Sequence, residues 1–106
     1  MRAGGIYVIQ CTWRWAYVIE VDRVDLGAGL VYMKRLVNLR EWRTGGGLES
    51  VAQTDDPWDQ RIVLEMQPGK AARPGFLGLY QIVAGLEVEF PDAWRRRLEG
   101  KARGQE

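Results

Sequence analysis

The clearest pattern in the chain is an alternation from Trp13 to Asp22. Trp13, Trp15, Tyr17, Ile19 and Val21 fall on one side; Arg14, Ala16, Val18, Glu20 and Asp22 fall on the other. A period of two sends successive side chains to opposite faces of an extended strand. Trp13–Asp22 therefore reads as a half-buried strand with its rings turned inward. The preceding residues, Gly5–Thr12, are rich in β-branched and aromatic side chains and read as a strand as well. No strong turn signal separates the two. The glycines of Asp25-Leu26-Gly27-Ala28-Gly29 suit a turn, after which Leu30–Leu39 completes an antiparallel hairpin. Ile62, Leu64 and Met66 alternate within Arg61–Met66. Leu77–Phe90 reads as a last extended region, divided or bulged at Gly78 and Gly85.

Two stretches carry helical spacing instead. Leu48, Val51 and Ala52 sit at i, i+3 and i+4, enough for one or two turns. Pro91 fits a first helical position, Asp92 favours the helix dipole, Arg95–Arg97 lie near the C-terminal end, and Gly100 suits a stop. Trp94 and Leu98 give that helix a packing edge. Arg40–Gly47, Thr54–Gln60 and Pro68–Gly75 read as loops. The pattern predicts a mostly β (or α+β) fold. It is a small antiparallel sheet of five to six strands, curled toward a partly open barrel, with one short internal helix and a C-terminal helix over 91–99. One domain covers 1–100, followed by a frayed tail over 101–106. An α+β sheet with a helix covering one face is the alternative.

Charge and composition narrow the function classes. Lys plus Arg total 15 and Asp plus Glu total 14, a formal charge of +1. That balance speaks against duplex-DNA binding, which calls for a basic excess, and against acidic mimicry of DNA. The chain has no histidine, which removes His-based triads, general bases and metal ligands together. Its single cysteine, Cys11, can make neither an intrachain disulfide nor a multi-cysteine metal site, and it reads as a buried, inert thiol. No cofactor is implied. No apolar run approaches the ~20 residues of a membrane span. With no signal-peptide pattern at the start, a soluble, cytoplasmic protein is expected.

Five tryptophans in 106 residues change the picture more. Trp suits cores, interfaces and stacking sites, and Arg stacks on aromatic faces and binds phosphate bidentately. Arg40-Glu41-Trp42-Arg43-Thr44-Gly45-Gly46-Gly47 places two guanidiniums around an indole, then a glycine-rich run before a short helix. Such backbones bind anions, so Arg40, Trp42, Arg43, Thr44, Gly45, Gly46 and Gly47 form a candidate nucleotide site. The glycines have neither Walker nor dinucleotide-binding spacing. The competing reading is a strand-to-helix connection whose Trp plugs the core edge. A second candidate is the Trp13, Arg14, Trp15 stripe, which could stack single-stranded bases or simply pack the core. Asp55, Asp56 and Asp59 cluster without the spacing of a metal loop and read as a solvated loop. Arg95-Arg96-Arg97 reads as a solvated helix face.

The middle of the chain resembles a family of short phage- and prophage-encoded proteins of uncharacterised function. The family pattern is a strand with W-x-[FY]-V, an asparagine ending the next strand, and R-x-W-G-T-x-x-G-L-x-x-L-A. Trp15-Ala16-Tyr17-Val18, Asn38 and Arg40–Ala52 carry it here, over about residues 6–54. Arg43 replaces a glycine and Val51 a leucine; the family's Asp-Pro-Cys-Gly turn is absent, and the helix from Pro91 lies beyond its usual end. The resemblance implies a mobile-element origin, a host-cell cytoplasmic setting and a compact β domain, and brings no enzymatic activity. Three function classes follow. The first is a non-catalytic interaction protein, acting against a host defence by binding a nucleotide-type ligand or a host protein, with a homo-oligomer as one way to complete the site. The others are a single-stranded nucleic-acid binder and a virion structural or assembly component.

Overall fold

β-Branched and aromatic runs set the first three strands: β1 (Ile6–Cys11), β2 (Ala16–Asp25) and β3 (Leu30–Trp42). Helix α1 (Gly47–Gln53) and a short β4 (Ile62–Leu64) follow, then β5 (Arg73–Gly78), β6 (Ile82–Glu87) and helix α2 (Pro91–Leu98). The structure, a computed structural model, describes residues 1–105. The mostly β fold expected from the pattern is the one observed: six antiparallel strands in an unclosed sheet, with one short internal helix and one C-terminal helix. No helix among the described residues is long and apolar enough to cross a membrane.

The sheet runs β4-β3-β2-β1-β6, and β5 also pairs with β3. The thirteen residues of β3 divide their outer edge: Leu30–Leu36 pair with β5, and Leu39–Trp42 pair with β4. β5 and β6 lie at opposite margins of the sheet, yet only the 3-10 turn Leu79–Gln81 separates them. The sheet must therefore curl. Register shifts at Glu20/Val21 and Val21/Arg23 help it bend.

Both faces of the sheet are covered, which the simple alternation does not announce. On one face Ile6, Val8, Ala16, Val18, Val37 and Leu39 meet Val51 and Ala52 of α1 and Trp94 and Leu98 of α2. On the other, Ile9, Cys11, Ile19, Val21, Val31 and Met33 fill the inside of the curl. Glu20 belongs to the helix face and is only 4% exposed. Its carboxylate takes Arg35 from the facing strand and Arg95 Nε from α2 at 3.4 Å, while Arg35 also reaches Glu99 at 3.7 Å. A buried carboxylate needs such partners, and here they fasten α2 to the sheet. The reading of Arg95–Arg97 as a solvated face is thus corrected: Arg95 holds Glu20, and Arg97 lies desolvated with Nη1 3.3 Å from Met66 Sδ.

α2 stops as its sequence suggests. The Gly100 N–H bonds to the Arg97 carbonyl and the Lys101 N–H to the Arg96 carbonyl, both at 3.1 Å, with Gly100 at φ +85°. This paired closure needs a left-handed residue. A Cβ on Gly100 would sit 2.5 Å from the Lys70 carbonyl, so the close approach requires glycine twice over. Residues 101–105, read from sequence as a tail, fold back. Trp58 Nε1 donates to the Lys101 carbonyl at 2.8 Å, and Arg103 pairs with Asp56 at 2.7 Å.

Three element boundaries differ from the expected ones. β3 continues through Arg40, Glu41 and Trp42, because β4 supplies ladder partners that sequence alone cannot show. β5 begins at Arg73, inside the expected loop; as an edge strand it tolerates Pro74, whose missing N–H removes no ladder bond on the free side. The largest difference is at Thr12–Arg14. These residues form a 3-10 turn between β1 and β2, so Trp13 and Arg14 are not strand residues at all.

Candidate functional site

The β1–β2 connection is closed by the Cys11 N–H donating to the Trp15 carbonyl at 2.7 Å. Three residues span that closure, and the chain reverses only by placing Trp13 at φ 67° and Arg14 at φ 65°. The left-handed region costs a side-chain-bearing residue about 1–2 kcal/mol. Turns of this kind ordinarily use Gly, Asn or Asp. The strained loop holds Trp13 90% exposed and Trp15 54% exposed. The expected inward direction of these two rings is therefore wrong, and the period-two side they share with Ile19 and Val21 is buried only from Tyr17 onward. Trp15 lies just before the first residue of β2, and Trp13 lies in the 3-10 turn, off the sheet.

The loop forms one wall of a groove of about 480 Å³. The end of β3 lines it as well, with Asn38, Leu39, Arg40 and Trp42, and Glu65 joins them. The Glu65 N–H, donating to the Asn38 carbonyl at 2.9 Å, holds Glu65 beside β3. Two candidate sets far apart in sequence thus meet: Trp13, Arg14 and Trp15 from one, Arg40 and Trp42 from the other. Trp42 is half-buried, packing against the helix-face core while also lining the groove. Arg14 and Arg40 have no carboxylate within salt-bridge distance among the described residues. Unpaired guanidiniums beside exposed indoles form a surface suited to an anion that also carries a flat ring.

The rest of the Arg-Trp-Gly stretch does not line this groove. Arg43 is exposed and turns to Glu41 at 3.5 Å. The Thr44 hydroxyl is engaged with the Ser50 hydroxyl, which itself donates to the Gly47 carbonyl at 2.7 Å. Gly45 and Gly47 take φ +85° and +66°, and Gly46 precedes α1 as its cap. These residues turn the chain from β3 into a seven-residue helix. The acidic cluster is likewise occupied locally: Asp59 pairs with Arg61 and Asp56 with Arg103, both at 2.7 Å. Arg61 holds the Asp59 carboxyl down at about 2. Cys11 is buried, and burial pushes its thiol up. The Tyr17 hydroxyl is raised chiefly by burial, with Cys11 and Glu65 adding to it.

Sequence reasoning missed Glu65 and the place of Asn38 in the groove lining. Glu65 follows a three-residue strand and carries no motif; only the pairing of β4 with β3 brings it to the groove. No family model, no curated protein and no solved structure matches the chain.

Proposed function

We propose that the protein is a non-catalytic binding module whose groove takes a nucleotide-type ligand, the base stacked on Trp13 and Trp15 and the phosphate held by Arg14 and Arg40. The observation that carries this reading is the convergence of those residues on one groove, with neither guanidinium in an ion pair among the described residues. Base–indole stacking contributes about 1–3 kcal/mol per base, and a charge-assisted hydrogen bond to phosphate about 1.5–3 kcal/mol. The strained loop supports the same reading, since backbone strain of this kind persists where a function maintains it. The mobile-element setting and a role against a host defence come from the sequence resemblance; the groove supplies the chemistry such a role would use.

Calorimetry against nucleoside 5′-monophosphates tests the proposal. Binding should weaken at least tenfold in Trp13→Ala/Trp15→Ala and in Arg14→Ala/Arg40→Ala, with the denaturation midpoint unchanged. A folded protein that gives no heat with any nucleotide ends the proposal. A second reading, single-stranded nucleic-acid binding, is favoured by the 90% exposure of Trp13, which leaves ring surface for a further base. It predicts tighter binding with strand length and a falling log K with log salt; length-independent binding of mononucleotides and oligomers excludes it.

A further inference from the structure

Two polar side chains of the groove have no part in the stacking and phosphate contacts described above. Asn38 and Glu65 both line it, and the bond from the Glu65 N–H to the Asn38 carbonyl makes them neighbours. Neither side chain makes a hydrogen bond among the described residues. Glu65 is exposed, and no cation comes within salt-bridge distance of its carboxylate there, although Arg14 and Arg40 line the same groove. The groove thus carries hydrogen-bonding capacity that the fold itself does not use.

What this pair can recognise follows from its donors and acceptors. A carboxylate offers acceptors only, and a side-chain amide offers N–H donors. The carboxylate repels a phosphate, for which Arg14 and Arg40 are the attractive partners. Glu65 therefore suits a part of the ligand that presents N–H groups. With Asn38 beside it, the pair offers one donor and two acceptors. The matching ligand edge reads acceptor, donor, donor. Among the four common bases of RNA only guanine has that order, as O6, N1–H and N2–H. Adenine and cytosine set a ring lone pair beside their single amino group, and that lone pair would face a carboxylate oxygen. Uracil has one N–H between two carbonyls. Resting on the nucleotide reading above, we infer that the groove selects guanine nucleotides. Glu65 accepts N1–H and N2–H, and the Asn38 amide donates to O6. Glu65 is the specificity-determining residue, because every other base leaves one of its oxygens against an acceptor.

The test measures guanosine, inosine, adenosine, cytidine and uridine 5′-monophosphates by calorimetry at one salt concentration, using the whole chain. The guanosine nucleotide should bind at least tenfold tighter than the adenosine, cytidine and uridine nucleotides. Inosine, which lacks only the N2 amino group, should fall between. Glu65→Gln should erase the preference by weakening the guanosine nucleotide alone. The Glu65 side chain is exposed and makes no contact the fold relies on, so the denaturation midpoint should match the parent. Equal affinity for the five nucleotides in the parent protein overturns the guanine assignment and leaves the nucleotide reading standing. So does an equal weakening of all five in Glu65→Gln, which would place the carboxylate on the sugar they share. An equal strengthening of all five would show that Glu65 only repels phosphate, and overturns the assignment too. No binding of any nucleotide removes both readings.

Discussion

Trp94 and Trp13 show what one residue type does in two regions. Trp94, on α2, is fully buried in the core that the helix shares with the sheet, in the same cluster as Leu98. Its indole Nε1 finds no hydrogen-bond partner among the described residues, so its place is set by apolar area alone. Trp13 is 90% exposed on a backbone conformation that disfavours any side chain. One region gives up a hydrogen bond to gain packing; the other accepts strain and gains no packing. The first is what folding favours, whereas the second makes sense only if exposure itself is useful.

The comparison breaks most easily at Trp94. Trp94→Ala should lower stability by about 3–5 kcal/mol, read from the urea midpoint, because it empties a site with no room to collapse. A loss under about 1 kcal/mol would mean that α2 is not part of the core. Next in size is Glu20→Ala, which removes the buried acceptor of Arg35 and Arg95, leaves them Glu99 and Asp92 as partners, and should cost about 2 kcal/mol. An unchanged midpoint would show that this ion pair does not hold α2.

At the other region the sign reverses. Arg14→Gly relieves a left-handed residue and should raise stability by about 1 kcal/mol, while nucleotide binding weakens. A variant that gains stability and keeps full binding would take Arg14 out of the site. The smallest effect is expected with pH. Asp59 titrates at about 2 in the folded chain, below its ordinary 3.8. Its pairing with Arg61 thus adds stability above the ordinary value, and that contribution is lost as pH falls toward 2. Asp59→Asn should be slightly less stable than the parent at neutral pH, and the two should converge near pH 2. A constant difference across that range would show that Asp59 is not the group concerned.

Much of the fold was legible. The β-branched and aromatic run of β1, the alternation in β2, the turn at Gly27 and Gly29, and the Pro91-Asp92 start and Gly100 stop of α2 are local signals, and local sterics enforce them. What escaped was whatever depends on a distant partner. Arg40 to Trp42 read as loop because the ladder partners of Glu41 and Trp42 belong to β4, about twenty residues on. Pro74 read as loop because edge placement cannot be seen in a single strand. The direction of Trp13 and Trp15 was missed for a related reason. Period-two patterning says which residues share a side, but not where the covering layer ends.

The amino-acid pattern on its own determines that this chain makes an antiparallel, mostly β sheet with a capped C-terminal helix, since strand pleat and helix capping are decided within a few residues. Tertiary structure alone decides that Trp13, Arg14 and Trp15 meet Arg40, Trp42 and Glu65 in one groove, while Arg43–Gly47 turn away to frame α1. The reason is physical: a site assembled from three separate segments exists only once the sheet has curled and β3 has been paired along both of its edges.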